Sequence, residues 1–334
     1  VNSLRKLYIL LDNKILFLII IAICLASLLK PWLLINGILI GSLYSLGAIG
    51  LSLIYGNLKF ANMAHGDFMT LSAYIALTLM MFLFPNSENS ASVGPFTFKY
   101  ELLLVIPLAV IIIGLMATVF DKLIFKKLRT LNATSAAIAL CSLGLAVGLR
   151  GLIQFIWGTD SRSFPRESKL FWDLPFRIKI PPDMFFCAVV AVIIATVFYL
   201  VLFKTTLGKA IRATSDNPDL ARITGINTDR IILYIWFIGG ILAATAGILI
   251  SVQQALITPV MGWKILIPLF ASVIVGGIGN PIGALIGGIL IGITGELATG
   301  WINPSYKPAV YFFVLLVVLL LRPNGILGSK GRQF

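Results

Sequence analysis

The sequence predicts an all-α integral membrane protein with about 8–10 transmembrane helices, some of them broken or re-entrant. The first observation is composition: the 334 residues are 59% hydrophobic and 12% charged, whereas a soluble domain is about half apolar and about one quarter charged. The second is a mean hydropathy of +1.00. The third is a series of apolar runs near the roughly 20 residues that cross a bilayer. Such runs must be helical or shielded by protein, because lipid offers the backbone no water.

The apolar runs follow one another along the chain, so we interpret residues 1–334 as a single transmembrane domain. The runs cover residues 15–30, 33–56, 68–84, 102–121, 133–157, 184–203, 231–251, 265–276, 283–299 and 308–321. We expect the first to be a retained, additional N-terminal helix. No small-residue cleavage site follows it, and Lys30-Pro31-Trp32 leads into the next run.

The positive charges predict the orientation of the chain. The net charge is +13, and Lys and Arg concentrate in residues 122–129, in residues 204–230 and near both ends. Cytoplasmic loops carry an excess of these residues, so we expect both segments and both termini in the cytoplasm. By alternation, residues 85–101 and 158–183 lie outside, the latter as a periplasmic loop. The expected location is a bacterial cytoplasmic (inner) membrane.

Small residues predict close packing between helices. Gly37 and Gly41 are four residues apart, as are Gly288 and Gly292, a spacing that lets helix backbones approach each other in lipid. Both pairs stand in the word "GILIG". The repeated word hints at duplicated halves, although so short a match also arises by chance.

The stretch "GGIGNPIG" interrupts two short apolar runs. It predicts either a tight turn, which we favour, or two half-helices that meet inside the protein near a transport pathway. The residues expected to break the helix or to allow close packing here are Gly276, Gly277, Gly279, Pro281 and Gly283.

The only histidine, His65, stands in the polar stretch "KFANMAHGDF". One histidine without other ligands cannot build a zinc site, and no serine nucleophile is recognisable, so we expect no catalytic residue and no enzyme. Three roles stay open for Asn62, His65 and Asp67. They could satisfy backbone groups at a turn or hinge, line a gate or substrate path, or relay protons.

Spacing favours the structural role, with Asp67 as the N-cap of a helix that begins at Phe68. Tyr44 and Glu296 are further candidates for the translocation pathway, because polar side chains at membrane depth are functional candidates by default. We expect Arg150 to extend along its helix towards the membrane surface.

The loop from Gly208 to Arg230 is punctuated as a short helix. Ser215, Asp216 or Asn217 can serve as the N-cap, Pro218 suits the first helical position, and Gly225 provides the stop. So short a helix is unstable alone in water. We therefore expect it to dock on its own chain or on a soluble partner, through the apolar edge of Leu220, Ile223 and Ile226.

Three motifs, "NMAHGDFMTLSAY", "ATSDNPDLARITGINTDRI" and "VGGIGNPIGALIGGILIG", resemble those of the permease subunits of branched-chain amino acid ABC importers. The resemblance covers residues from roughly 36 to 325 and implies that the second motif is a coupling helix for an ATP-binding subunit. The coupling residues that it implies are Asp216, Asn217, Pro218, Leu220, Ala221, Ile223 and Gly225.

The resemblance also implies cytoplasmic ATPases, a second permease subunit and a periplasmic binding protein as partners. No phosphate-binding loop occurs in this sequence, so we expect no cofactor on this chain and ATP with Mg²⁺ on the partners. The implied substrates are branched-chain or other apolar amino acids. Related permeases import urea or short amides, and residues 15–30 and 158–183 depart from the pattern. A proton- or sodium-coupled carrier is the alternative of another class.

Overall fold

The computed structural model describes residues 30–86, 90–168, 171–174 and 178–328. The apolar run at 15–30 lies outside these residues except for Lys30. The helices are α1 (Pro31–Leu58), α2 (His65–Leu83), α3 (Tyr100–Thr130, with a π-helical turn at Asp121–Phe125), α4 (Ser135–Trp157), α5 (Pro182–Lys204), α6 (Thr206–Asp216), α7 (Pro218–Ile223), α8 (Thr228–Gln254), α9 (Met261–Gly276), α10 (Pro281–Ala298) and, after a 3-10 turn at Pro304–Tyr306, α11 (Lys307–Leu321).

The predicted fold class is confirmed. Within the part of the chain that the structure describes, eight helices are long and apolar enough to cross a membrane: α1 to α5, α8, α10 and the segment Pro304–Leu321. Helix α9 is also apolar but has only 16 residues. The cytoplasmic position of both termini stays a prediction.

The loops predicted to be external meet at one end of the molecule. Residues 158–183 contain a short hairpin that the sequence did not predict, with β1 (Trp172–Leu174) antiparallel to β2 (Ile178–Ile180). Phe98 pairs with Arg166 in an isolated bridge, and the Lys99 ammonium lies 3.0 Å from the Glu167 carboxylate. These contacts join the loop before α3 to the loop before α5.

The basic segments meet at the opposite end. The Lys126 ammonium at the end of α3 lies 3.0 Å from the Asp229 carboxylate at the start of α8. The Asn280 side-chain amide donates to the Leu327 carbonyl at 3.0 Å, which places the residues after α11 at this end too. This end therefore carries most of the Lys and Arg among the described residues, as an orientation set by positive charge requires.

Helices α1 and α10 pack closely through the two "GILIG" words. A Cβ added at Gly41 would lie 2.8 Å from Cα of Ile289, and one at Gly292 would overlap Cα of Gly41. No side chain fits at these positions, so the glycines bring the backbones together as predicted.

The stretch "GGIGNPIG" forms the tight turn between α9 and α10. Gly277 (φ +113°) and Gly279 (φ +77°) adopt a backbone that L side chains rarely take. Asn280 then caps α10, since its side-chain oxygen accepts from the backbone N–H groups of Ile282 and Gly283.

The helices form an inverted repeat. A long helix, a connection that folds back, a shorter helix and two further helices occur from α1 to α4 and again from α8 to α11. Helix α1 ends at the basic end, where Gly56 contacts Ser215, and α8 begins there beside Lys126, so the two long helices run in opposite directions. Both long helices end in a left-handed residue other than glycine, Lys59 (φ 56°) and Ala255 (φ 57°). The connections, residues 59–64 and 255–260, are equally long. In membrane proteins built from such repeats, binding sites lie where the two halves meet.

The connection at 59–64 carries the chain back into the protein. His65, the first residue of α2, has its Nε2 atom 3.0 Å from the Gly47 carbonyl of α1. Gly47 precedes Leu58 by about 16 Å of helix at 1.5 Å per residue. Helix α2 therefore begins halfway along α1, which confirms a re-entrant segment.

Candidate functional site

The start of α2 and the start of α9 meet in the interior. The Gly262 backbone N–H donates to Thr70 Oγ1 at 2.8 Å. A Cβ added at Gly262 would overlap the Gly66 carbonyl, and one at Gly66 would overlap the Gly262 carbonyl. Each glycine is the second residue of its helix. Two positive helix ends thus come together at the centre of the inverted repeat.

His65 and Asn62 hold the re-entrant connection in place. His65 is fully buried, and its contact with the Gly47 carbonyl requires a proton on Nε2, because a carbonyl only accepts. The Asn62 side-chain oxygen accepts from the Ala64 backbone N–H at 3.2 Å. Both contacts satisfy buried backbone groups, which fits the structural role among the three that the sequence left open.

Asp67 is not the N-cap that we predicted. Helix α2 begins at His65, two residues earlier, so Asp67 lies inside the first turn. Its two carboxylate oxygens accept from Arg150 Nε at 3.2 Å and from Arg150 Nη2 at 3.1 Å. The side chain of Asp67 is 1% exposed, and a carboxylate so buried requires a charged partner.

The prediction that Arg150 extends towards the membrane surface was also wrong, because its side chain pairs with Asp67 instead. Its guanidinium reaches across from α4 to Asp67 and also lies over the ring of Trp263, 5.0 Å from the centroid. The ion pair therefore joins α2 to α4, and the contact with Trp263 adds α9. We call this meeting point of α2, α4 and α9 the junction. The sequence carried a signal for this pair, because an arginine inside an apolar run requires a polar or charged partner in a membrane.

Tyr44 and Glu296 belong to a second polar group, between α1, α10 and α11. The rings of Tyr44 and Tyr311 meet edge to face with centroids 6.3 Å apart. The Glu296 carboxylate accepts from the Lys307 ammonium, so it is paired and lies near the end of α10. A pathway role for either residue stays a prediction.

The segment 204–230 folds as two short helices at the basic end. Of the three candidate caps, Asn217 caps α7: its side-chain oxygen accepts from the backbone N–H groups of Asp219 (3.1 Å) and Leu220 (3.0 Å). Pro218 is the first helical residue, and Gly225 follows the helix with φ +88°. The helix ends at Ile223, two residues before the predicted stop at Gly225.

One side of this segment is anchored on its own chain and the other is open. Ala221 is buried, and Ile226 packs against the core. Ser215 Oγ donates to the Gly56 carbonyl at 2.9 Å. Leu220 is 58% exposed and Ile223 84% exposed. The predicted apolar edge is thus divided, since Ile226 faces inward while Leu220 and Ile223 face out.

Acidic side chains do not form a metal site in the described part of the chain, where no group of three His, Cys, Asp or Glu residues could hold an ion. The buried acids are bonded instead: Asp121 pairs with Arg129 at 2.7 Å, and Asp183 accepts from the Thr97 backbone N–H at 2.8 Å. The ion pair of Asp121 and the hydrogen bond of Asp183 hold loops and helix ends together.

These observations define a multi-pass helical membrane protein with an inverted repeat. At its basic end it carries the short helices of residues 204–230, the segment that the sequence predicts to dock, below called the docking segment. Residues 33–319 match the family described as branched-chain amino acid transport system / permease component. The chain belongs to this family.

Individual relatives agree along most of the chain. It is 28% identical over 305 residues to the high-affinity branched-chain amino acid transport system permease protein BraD of Pseudomonas aeruginosa, covering 88% of this chain and 94% of the relative. It is 30% identical over 324 residues to the probable branched-chain amino acid transport permease protein LivH of Methanocaldococcus jannaschii, covering 94% and 97%. It is 27% identical over 301 residues to LivH of Escherichia coli, covering 88% and 94%.

Proposed function

We propose that this chain is a transmembrane permease subunit of an ATP-driven importer for branched-chain or other apolar amino acids. Membership of the permease family supports the class of function, and the names of the relatives support the substrate. The chain carries no ATP chemistry in this proposal. ATP and Mg²⁺ bind to cytoplasmic partner subunits, a second permease completes the membrane pore, and a periplasmic binding protein delivers the substrate.

The docking segment is the single observation that carries the coupling proposal. A capped helix as short as α7 is unstable alone, yet it presents Leu220 and Ile223 to solvent at the basic end. Exposed large apolar side chains on an anchored helix favour a protein surface as their partner. We assign Asp216, Asn217, Pro218, Leu220, Ile223 and Gly225 to the contact with an ATPase, and the buried Ala221 to the side that holds the helix on its own chain.

Movement of this segment is transmitted by its anchors. Ser215 holds the end of α1 through the Gly56 carbonyl, and Arg222 donates to Thr228 Oγ1 at the start of α8 at 3.2 Å. Helices α1 and α8 are the two long helices of the inverted repeat, so a push on α7 tilts both halves. Shifting two conformations from 1:99 to 99:1 requires about 5.5 kcal/mol of differential binding.

A proton- or sodium-coupled carrier is less well supported. Such a carrier needs a buried acid that exchanges an ion. Within the described spans, the buried carboxylates of Asp67 and Glu296 each have a basic partner. We propose that both pairs are structural.

Co-purification tests the assignment of the docking segment. We expect Leu220→Asp to abolish co-purification of the ATPase, because a carboxylate replaces an apolar contact, while the permease still inserts in the membrane. Lys209→Asp on the neighbouring α6 is the matched control, since Lys209 is also exposed. An ATPase that co-purifies equally with both variants would contradict the assignment.

A further inference from the structure

A cavity of about 240 Å³ lies at the basic end, beside the docking segment. Its walls come from α1, α5, α6, the turn between α9 and α10, and the residues after α11. Pockets for drug-sized ligands measure about 300–1,000 Å³. This one therefore suits a small metabolite rather than a nucleotide.

One wall carries a guanidinium without an acceptor. Arg212 of α6 lines the cavity and lies over the ring of Phe203, 4.8 Å from its centroid. Among the described residues it has no hydrogen-bonded or ion-paired partner. A half-buried guanidinium held flat on an aromatic ring is positioned to bind a carboxylate with two parallel hydrogen bonds.

Two residues of α1 that line the same cavity carry buried oxygens without a hydrogen-bond partner in the described part of the chain. Ser52 Oγ and Asn57 Oδ1, both on α1, are buried and have no hydrogen-bond partner within the described structure. Ser52 is 0% exposed. A buried polar atom without a partner costs free energy, so a ligand that donates hydrogen bonds here is stabilised. An ammonium group has three donors and no acceptor.

The remaining lining is mixed, with the polar residues Ser215, Asp216 and Asn280 beside aliphatic side chains. Leu53, Leu202 and Ile211 line the cavity and are each at most 3% exposed. A carboxylate partner, acceptors for an ammonium group and an aliphatic wall together match one class of ligand, an aliphatic α-amino acid in its zwitterionic form.

We propose that this cavity binds a free aliphatic amino acid from the side of the membrane that the docking segment faces. The inference rests on the proposed function, because the ligand is then the imported product. A bound amino acid links Arg212 of α6 to Ser52 and Asn57 of α1. It holds the docking segment against the long helix and slows transport as the product accumulates.

Direct binding tests the site without requiring transport. The probe is radiolabelled leucine, added to the full chain with its co-purifying subunits in lipid nanodiscs, without any periplasmic binding protein. We expect Arg212→Gln to weaken binding at least about tenfold, through loss of charge-assisted hydrogen bonds, and Arg212→Lys to restore part of it. Lys209→Gln removes the same charge from an exposed position of the same helix and leaves binding unchanged.

Two analogues test the class of ligand. Leucinol lacks the carboxylate and 4-methylpentanoate lacks the ammonium group, so each competes with leucine at least about tenfold more weakly than unlabelled leucine. Equal binding of leucine to the wild type and to Arg212→Gln, equal competition by the analogues, or no leucine binding would overturn the site.

Uptake separates this inference from the proposed function. With the importer in proteoliposomes, leucine on the side of the docking segment lowers initial ATP-driven uptake in the wild type and in Lys209→Gln. Arg212→Gln needs at least about tenfold more leucine for the same fractional inhibition of its own rate. If ATP-driven uptake is normal and equally inhibited in all three proteins, the proposed function stands and the product site is wrong. If leucine binds as expected but is never taken up, the site stands and the proposed function fails.

Discussion

Breaking the ion pair between Asp67 and Arg150 tests whether the junction of α2, α4 and α9 holds the fold together. Asp67→Asn keeps the shape of the side chain but removes its charge, which leaves the Arg150 guanidinium without a countercharge. Removing one partner of a buried pair costs about 3–5 kcal/mol. Because the Arg150 side chain is 19% exposed, we expect a loss near the lower limit, about 3 kcal/mol.

The chain offers a matched control in the exposed pair between Lys126 and Asp229. Its charged atoms are 3.0 Å apart, close to the 3.1 Å between Arg150 and Asp67, but the two side chains are 48% and 61% exposed. Asp229→Asn should therefore cost about 0.2–1 kcal/mol. The measurement is the free energy of unfolding in mixed micelles, from the fraction of folded protein against the mole fraction of denaturing detergent.

The single variant Arg150→Gln and the double variant Asp67→Asn with Arg150→Gln complete a double-mutant cycle. We expect the double variant to be less destabilised than the sum of the two single variants by at least about 1 kcal/mol, because neither charge is then buried alone. Equal losses for Asp67→Asn and Asp229→Asn, or additive effects in the double variant, would refute the assignment of a buried pair.

Two further variants test the junction and the docking segment. Gly262→Ala places a methyl group into the Gly66 carbonyl and should cost about 1–3 kcal/mol in the same unfolding assay. Gly148→Ala, where a Cβ meets nothing within 4 Å, should be neutral or stabilising, and equal stability of both variants would contradict the close contact. Asn217→Ala removes the cap of α7 and should cost about 0.5–2 kcal/mol of local helix stability. Hydrogen exchange should then be faster in residues 218–223 and unchanged in α8, and unchanged exchange at 218–223 would count against the cap.

The fold class was predictable because composition and run length restrict a chain in lipid to helices. The apolar runs, the turn at Gly277 and the cap at Asn217 depend on neighbouring residues only, so the sequence revealed them. The close contact of Gly41 with α10 followed from the spacing of small residues, which acts along one face of a helix.

The junction could not be predicted, because it joins residues that are far apart in sequence. Asp67 looked like an N-cap, since a polar residue before an apolar run is the usual signal. The helix begins earlier at His65 because the connection at 59–64 folds back along α1. The pairing of Asp67 with Arg150 and the contact of Gly66 with Gly262 then depend on tertiary packing.

In the docking segment, too, local features were predictable from the sequence and tertiary contacts were not. Local signals gave its first residue and its stop, and they restricted its cap to Ser215, Asp216 or Asn217. They did not show that Ile226 faces inward while Ile223 is 84% exposed, because one turn of helix has no reliable periodicity. The word "GILIG" hinted at duplicated halves but does not mark equivalent helices, because it lies in the first helix of one half and in the third helix of the other. The halves share backbone geometry at Lys59 and Ala255 rather than residue identity.

The central claim is that another chain's ATP hydrolysis drives transport through this permease. It is tested most directly by initial leucine uptake into proteoliposomes that contain the complete importer, with and without ATP and with the proton gradient collapsed. We predict uptake with ATP despite the collapsed gradient, no uptake without ATP, and loss of ATP-driven uptake in Ile223→Asp. Uptake that continues without ATP, or that stops when only the gradient is collapsed, would contradict it.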